Sequence, residues 1–324
     1  MEFRTEIKPL SGMTGMLRHG VPVLLMGSCF TDNIGSCLAS QLFEVEINPF
    51  GPLYNPLSIS RAVEILVNQT EVRAEEIFEH EGRYHSFLFH SRYSGVIDVE
   101  ATLSVMNRKI REAADVLRNA GVVILTLGTT KVYRFVETGE VVANCHKLQP
   151  SVFSANNLDL DETVDALERI VSAIRSINPN AHIVFTVSPL RYLGDGAHNS
   201  QIAKATLLLA VERLISGYTD VGYFPSYEIM MDDLRDYRFY AEDMRHPSEV
   251  AVKYIYEIFS DSYFDRDTKL IAAEAARLTR RLAHRSFNIS DSEDNERRNA
   301  LAEAFLTKYP KLRQAYKRYI INGI

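Results

Sequence analysis

The sequence predicts an α/β protein: three layers, α/β/α, around a mainly parallel sheet, followed by a C-terminal helical extension. Two observations carry this. Short, mostly apolar runs at 22–27, 122–127 and 182–187, with a weaker one at 221–224, alternate with stretches of helical period. The composition then changes near residue 265, where an Ala-rich, Arg-rich pattern begins. The boundaries that follow are 1–264 for the α/β domain and 265–324 for the extension.

The elements are justified in chain order. Val21–Met26 is apolar and ends at Gly27, as a buried strand does; Thr31 or Asp32 then caps a helix running to about Phe43. A short strand at 44–47 enters a loop rich in Pro, Gly and Asn, and Ser58–Asn68 has helical spacing. A strand pair is expected around Tyr84–Phe89 and Ser94–Val99. Leu103–Asn119 places Val105, Ile110, Ala113 and Leu117 on one side of a helix, with Gly121 closing it as the C′ residue. Val122–Leu127 is the clearest strand. Val132–Val136 and Val141–Ala143 read as a hairpin about Thr138-Gly139. Helix Leu160–Ile177, strand His182–Val187, helix Asn199–Ile215, strand Val221–Tyr223 and helices Glu228–Leu234 and Ser248–Phe259 complete the domain. In the extension, a helix at 267–285 carries Arg277, Arg280, Arg281 and Arg285. A polar break at Ser286–Asn295 separates it from a helix at 296–320, itself interrupted at Tyr309-Pro310. These basic helices serve as a solvated face or as a surface for forming an oligomer.

The chain has 324 residues, 46% of them apolar and 24% charged, which are globular values. A net charge of −6 argues against nucleic acid as a partner. The three cysteines, Cys29, Cys37 and Cys145, have neither the number of a disulfide framework nor the spacing of a zinc site. His85 and His90, five apart on an expected strand, point to opposite faces, and His146 beside Cys145 makes a poor chelate, so no metal and no cofactor are expected. The N-terminus lacks an apolar signal region and no run is long enough to span a bilayer, so the expectation is a cytoplasmic protein without membrane contact.

Two short motifs carry chemistry. Gly27-Ser28-Cys29-Phe30-Thr31 lies at the carboxyl end of a strand, where doubly wound sheets gather their ligands and where a helix begins with unpaired N–H groups. A Ser hydroxyl there can attack a carbonyl; it can equally be a cap. Asp243-Met244-Arg245-His246-Pro247 can orient an imidazole with a carboxylate, although D-x-x-H also arises by chance. In this order, nucleophile first and acid–base pair near the end of the sheet domain, the two motifs point to a triad. Cys29 is the rival nucleophile, expected instead to pack away from the cleft if Ser28 points into it.

The strings GSCFT, FGPLYNP, LTLGTTKVY, ANCHK, TVSPLR and DMRHP, spread over about residues 5–260, resemble the GSCFA family, a branch of the SGNH (GDSL-like) hydrolases. The resemblance implies a flavodoxin-like sheet order, with Ser28 as nucleophile, His246 as base and Asp243 as its orienter. It implies an oxyanion hole from the Ser28 N–H, the Gly51 N–H and a third donor that is Asn in the wider superfamily. Here Gly128-Thr129-Thr130-Lys131 puts Thr130 at that place. Asn55, Arg191, Asn199 and Lys204 lie at loop–helix junctions suited to holding substrate, Arg191 by binding an anionic group. The implied activity is ester hydrolysis through an acyl-Ser28 intermediate, with an O-acetylated carbohydrate or small acyl ester as substrate. A carbohydrate-binding module without catalysis and an acyltransferase are the alternatives.

Overall fold

A computed structural model describes residues 4–283 and 291–321. In chain order, β1 (Val23–Gly27) leads into α1 (Cys29–Ser40), β2 (Val45–Ile47) and α2 (Pro56–Asn68). A small hairpin, β3 (Phe78–His80) and β4 (Arg83–His85), precedes α3 (Val99–Asn119) and β5 (Val122–Leu127). Next come β6 (Lys131–Phe135), β7 (Val141–Val142) and β8 (Phe153–Asn157), then α4 (Leu160–Ile177), β9 (His182–Val187), α5 (Ala197–Ile215) and β10 (Val221–Phe224). The chain closes with α6 (Ser226–Glu228), α7 (Glu249–Tyr263), α8 (Arg266–Ala283), α9 (Asp291–Lys308) and α10 (Arg313–Tyr316).

The central sheet has five parallel strands in the order β10-β9-β5-β1-β2. Strand alternation divides the core cleanly. Leu24, Met26, Val123, Leu125, Ile183 and Phe185 pack under α2, α3, α4 and α5. Val23, Leu25, Val122, Ile124 and Val184 pack under α1 and α7. The sheet is thus covered on both faces, as its unbroken apolar strands require. The strand order reverses between β1 and β5, which opens a crevice at their carboxyl ends.

Several elements depart from the sequence reading. The expected strands at Tyr84–Phe89 and Ser94–Val99 are replaced by the hairpin at 78–85, with only Tyr84 bridging to Gly95. Phe89 is instead fully buried in the core, and the His90 N–H donates to Phe50 O at 2.8 Å. Helix α3 starts earlier than expected because Asp98 caps it, and Val105 faces solvent. Gly121 is not a left-handed cap: Ala120 closes α3 in an extended conformation, and a Cβ on Gly121 would come within 2.3 Å of Val21. β8, a polar strand with exposed residues, pairs with β6 and was not expected.

The C-terminal extension packs on the domain. Leu306, Leu312 and Ala315 form a small core with Leu42 and Ala275. The Tyr319 hydroxyl donates to Val45 O at 2.6 Å and accepts the Val45 N–H at 2.8 Å, and Arg318 pairs with Glu46. These contacts cover the open edge of β2, which would otherwise present unpaired backbone groups. Arg285 and residues 286–290 of the expected polar break lie outside the described residues, whereas Asp291–Asn295 belong to α9 rather than to a break. Among the described residues no helix is long and apolar enough to cross a membrane.

Candidate active site

The first side of the site is the turn from β1 into α1. Gly27 has φ +139°, and a Cβ there would lie 2.2 Å from Thr126 O, so only glycine fits. Its N–H donates to Asn48 Oδ1 at 2.9 Å, Asn48 Nδ2 donates to Asp32 Oδ1 at 2.8 Å, and Arg92 pairs with Asp32 at 2.7 Å. Ser28 continues the sheet register, its N–H donating to Thr126 O at 3.0 Å. Its hydroxyl accepts the Phe30 N–H at 3.3 Å, which makes it the N-cap of α1 in place of Thr31 or Asp32. Ser28 is wholly buried. Cys29 is the first helical residue, so its N–H has no carbonyl partner within the helix.

The second side is the 240–247 loop. Tyr240 bridges to Pro247, the Ala241 N–H donates to His246 O at 2.8 Å, and Met244 turns the chain with φ +56°. Asp243 Oδ1 accepts the N–H groups of Arg245 at 2.9 Å and His246 at 3.0 Å, and His246 Nδ1–H donates to Oδ2 at 2.5 Å. The His246 backbone N–H, then its ring, then the Arg245 N–H hold the Asp243 carboxyl well below the usual carboxylate range. With Nδ1 committed to Asp243, Nε2 is the ring nitrogen left for proton transfer.

Both sides meet at a cavity of about 390 Å³ lined by Cys29, Asn55, Arg191, Arg245 and His246, with Tyr54, Tyr133 and Tyr192 as aromatic walls. Burial pushes the Cys29 thiol up and Asp32 adds to this, while the N–H groups of Cys29 and Phe30 and the Lys204 ammonium pull the other way. The resting group is therefore a thiol that needs a base. Asn55 caps α2 by accepting the Ser58 N–H at 2.9 Å through Oδ1, which leaves Nδ2 as the free end of an amide on the cavity wall. Lys204 is buried beneath the site and donates to Gly128 O at 2.8 Å and Ser188 O at 2.7 Å, tying together the ends of β5 and β9. Burial pushes its ammonium down to about 7, with help from Arg191.

A model described as the GSCFA family matches residues 22–259, from β1 through most of α7. The chain belongs to the GSCFA family. The matched span of this GSCFA domain includes Cys29, Asp243 and His246. Among curated proteins, none matches the chain. Among solved structures it is similar to a family 3 carbohydrate esterase of Clostridium thermocellum, at 12% identity and a TM-score of 0.36, covering 79% of this chain and 98% of that one. It is also similar to an acetyl xylan esterase of the rumen bacterium Butyrivibrio proteoclasticus, at 10% identity and a TM-score of 0.39, covering 75% of this chain and 63% of that one.

The structure redistributes the residues singled out in the sequence. Asp243 and His246 are hydrogen-bonded at the cavity, and Asn55 and Arg191 line it. Ser28 does not reach it: buried, with its hydroxyl on a helix N–H, it cedes the cavity to Cys29. Gly51 is no oxyanion donor here, because its N–H donates to Asn48 O at 2.7 Å and its Cα abuts His90. Thr130 is buried outside the cavity lining, and the N–H groups of Gly128 and Thr129 are both taken by Tyr54 O at 2.8 and 2.9 Å. Asn199 donates to Asp195 O at 2.9 Å beside a small adjoining pocket, and Lys204 is a strut rather than a substrate ligand. His85 and His146 pack at a tilt with ring centres 4.5 Å apart, a contact the sequence did not suggest; among the described residues no three metal-binding side chains converge. Which tyrosines form the walls also went unread, since Tyr54 and Tyr192 lie outside helices and strands and Tyr133 in the short strand β6.

Proposed function

We propose that this protein is an acyl-transfer enzyme, an ester hydrolase in its simplest form, with Cys29 as nucleophile, His246 as base and Asp243 as the residue that orients His246. The observation that carries the reading is that Cys29 and His246 line one cavity while Ser28 is fully buried and absent from its lining. His246 Nε2 takes the proton from Sγ as sulfur adds to the ester carbonyl, and the carbonyl electron pair moves onto oxygen. The Cys29 N–H and Asn55 Nδ2 are the two donors available to that oxyanion. Collapse breaks the ester C–O bond, the leaving alkoxide receives the proton from His246, and an acyl thioester remains on Cys29. Water, deprotonated by His246, then adds to the thioester and releases the acid and the thiol. An alcohol or amine in place of water gives acyl transfer by the same route.

The substrate we favour is an acylated, specifically O-acetylated, carbohydrate. Tyr54, Tyr133 and Tyr192 offer flat apolar faces for a sugar ring, and burial pushes the Tyr54 phenol up to about 12, so it stays protonated as a donor. The test compares two variants on a chromogenic acetyl ester. Cys29→Ala is expected to abolish turnover and labelling by iodoacetamide; Ser28→Ala is expected to keep both. Full activity in Cys29→Ala overturns the assignment. Sugar binding by a wild-type protein that neither turns over esters nor labels at Cys29 would favour a binding module instead.

A further inference from the structure

Resting on the acyl-transfer reading for its reaction but not for its binding geometry, we propose that the cavity selects acyl esters bearing a carboxylate, and that Arg191 is the residue that binds it. The lining includes Lys131, Arg191, Arg245 and His246 and no Asp or Glu. Lys131 is answered by Asp195 at 2.5 Å, and the His246 ring is hydrogen-bonded to Asp243. Among the described residues, Arg191 and Arg245 have no carboxylate within ion-pair distance, so the cavity holds two guanidinium groups and no anion.

Arg191 is the more constrained of the two. It is half-buried, whereas Arg245 is exposed. Its Nη1 donates only to Met231 Sδ at 3.4 Å, a weak acceptor, and its Nε is buried with no acceptor at all. Its backbone N–H donates to Arg245 O at 3.3 Å, which fixes it against the loop that carries His246. A partly desolvated cation without a partner is costly, and the cost is recovered when an anion arrives. A guanidinium fork matches the two oxygens of a carboxylate in one plane. Its field already reaches the surrounding groups, opposing the effect of burial on the Tyr227 and Tyr240 phenols. The carboxylate belongs either to the alcohol half, as in an acetylated sugar acid, or to the acyl half, as in a dicarboxylic monoester.

Two measurements separate these sources and this proposal from the one it rests on. The first is kcat/KM for matched neutral and charged esters: O-acetyl glucose against O-acetyl glucuronate, and 4-nitrophenyl acetate against its hemisuccinate. In the wild type, at least one charged member is expected to be preferred about tenfold or more, the scale of one hydrogen-bonded charge pair. In Arg191→Met that ratio falls toward one, whatever the variant does to the neutral ester, and Arg191→Lys restores part of it. Equal use of charged and neutral partners by the wild type overturns the proposal without any variant being needed, and so does an unchanged ratio in Arg191→Met. The second is alkylation of Cys29 by iodoacetate relative to iodoacetamide, which needs no ester turnover. Arg191 is expected to raise that ratio, and Arg191→Met to lower it. A chain that turns over no ester yet shows the Arg191-dependent alkylation ratio retains the anion site and loses the proposed activity. Ester turnover with no charge preference in either measurement does the reverse.

Discussion

The two halves of the site are held in place by different means. The β1–α1 turn is core: Ser28 is sealed, Gly27 lies against the β5 backbone, and Asn48, Asp32 and Arg92 form a chain of polar contacts behind it. The 240–247 loop is surface: Asp243, Met244, Arg245 and His246 are all exposed, and their geometry is set mainly by hydrogen bonds within the loop, with the Arg191 N–H on Arg245 O as a contact from outside it. The proposed nucleophile is thus placed by the packing of the whole domain and the proposed base chiefly by a single turn. Damage to the first should therefore appear as lost stability, and damage to the second as lost rate in a protein that still folds.

The strongest attempt to break this contrast is Asp243→Asn. The amide keeps the size of the side chain but no longer favours a cationic ring or fixes its tautomer, so kcat is expected to fall roughly 10³–10⁴-fold. Unfolding midpoints should stay within experimental scatter of the wild type. A variant that unfolds early, or that keeps most of its rate, breaks the comparison. On the other side, Gly27→Ala meets both a positive φ and a contact at 2.2 Å with the Thr126 carbonyl, a backbone atom that cannot swing away. A loss of about 4 kcal/mol is expected in urea unfolding, among the larger effects of a single substitution. A fully stable Gly27→Ala would show that the turn yields more easily than its contacts imply.

The same contrast explains what the sequence could and could not tell. β5, α4 and β9 were legible to the residue because mostly apolar runs and a capping box at Asp159 and Glu162 leave little choice. Asp243 and His246 were legible because a local turn needs only local residues. The choice between Ser28 and Cys29 was not, because it depends on a one-residue phase. With the cap at Thr31 or Asp32, Ser28 sits in a free loop; with the cap at Ser28, its hydroxyl accepts a helix N–H and the next residue, Cys29, is the one in the cavity lining. That phase is set by the Ser28 N–H on Thr126 O, a bond to a strand about a hundred positions away in the chain. The surroundings of the expected oxyanion donors were hidden for a similar reason: the N–H groups of Ser28 and Gly51 meet the backbone carbonyls of Thr126 and Asn48, which no local pattern reveals. Asn55 was within reach, since Asn followed by Pro is both a cap signal and a way to aim an amide.

Acid should separate the two regions once more, by a smaller margin. Burial pushes the rings of His19 and His146 down to about 4, so both stay neutral in the folded core. In the unfolded chain each regains an ordinary value near 6.5 and takes up a proton as pH falls below it. The unfolded state then binds more protons than the folded one, so stability is full above about 6.5, declines as pH falls and is completely lost to these rings near 4. By pH 5 the expected loss is about 2 kcal/mol for each ring. Asp243 loses its contribution in the same direction but over a lower window: its carboxyl is depressed, so the contribution is full above its ordinary 3.8 and is lost only as pH falls below that. Between those limits the core weakens while the carboxylate of the exposed loop remains charged. Urea unfolding at a series of pH values reads the decline, and His19→Gln should flatten it by about half. A stability that is level from pH 7 to pH 4.5, or a slope unchanged by His19→Gln, would mean that the buried rings are hydrated and that the interior is less tightly closed than the loop it supports.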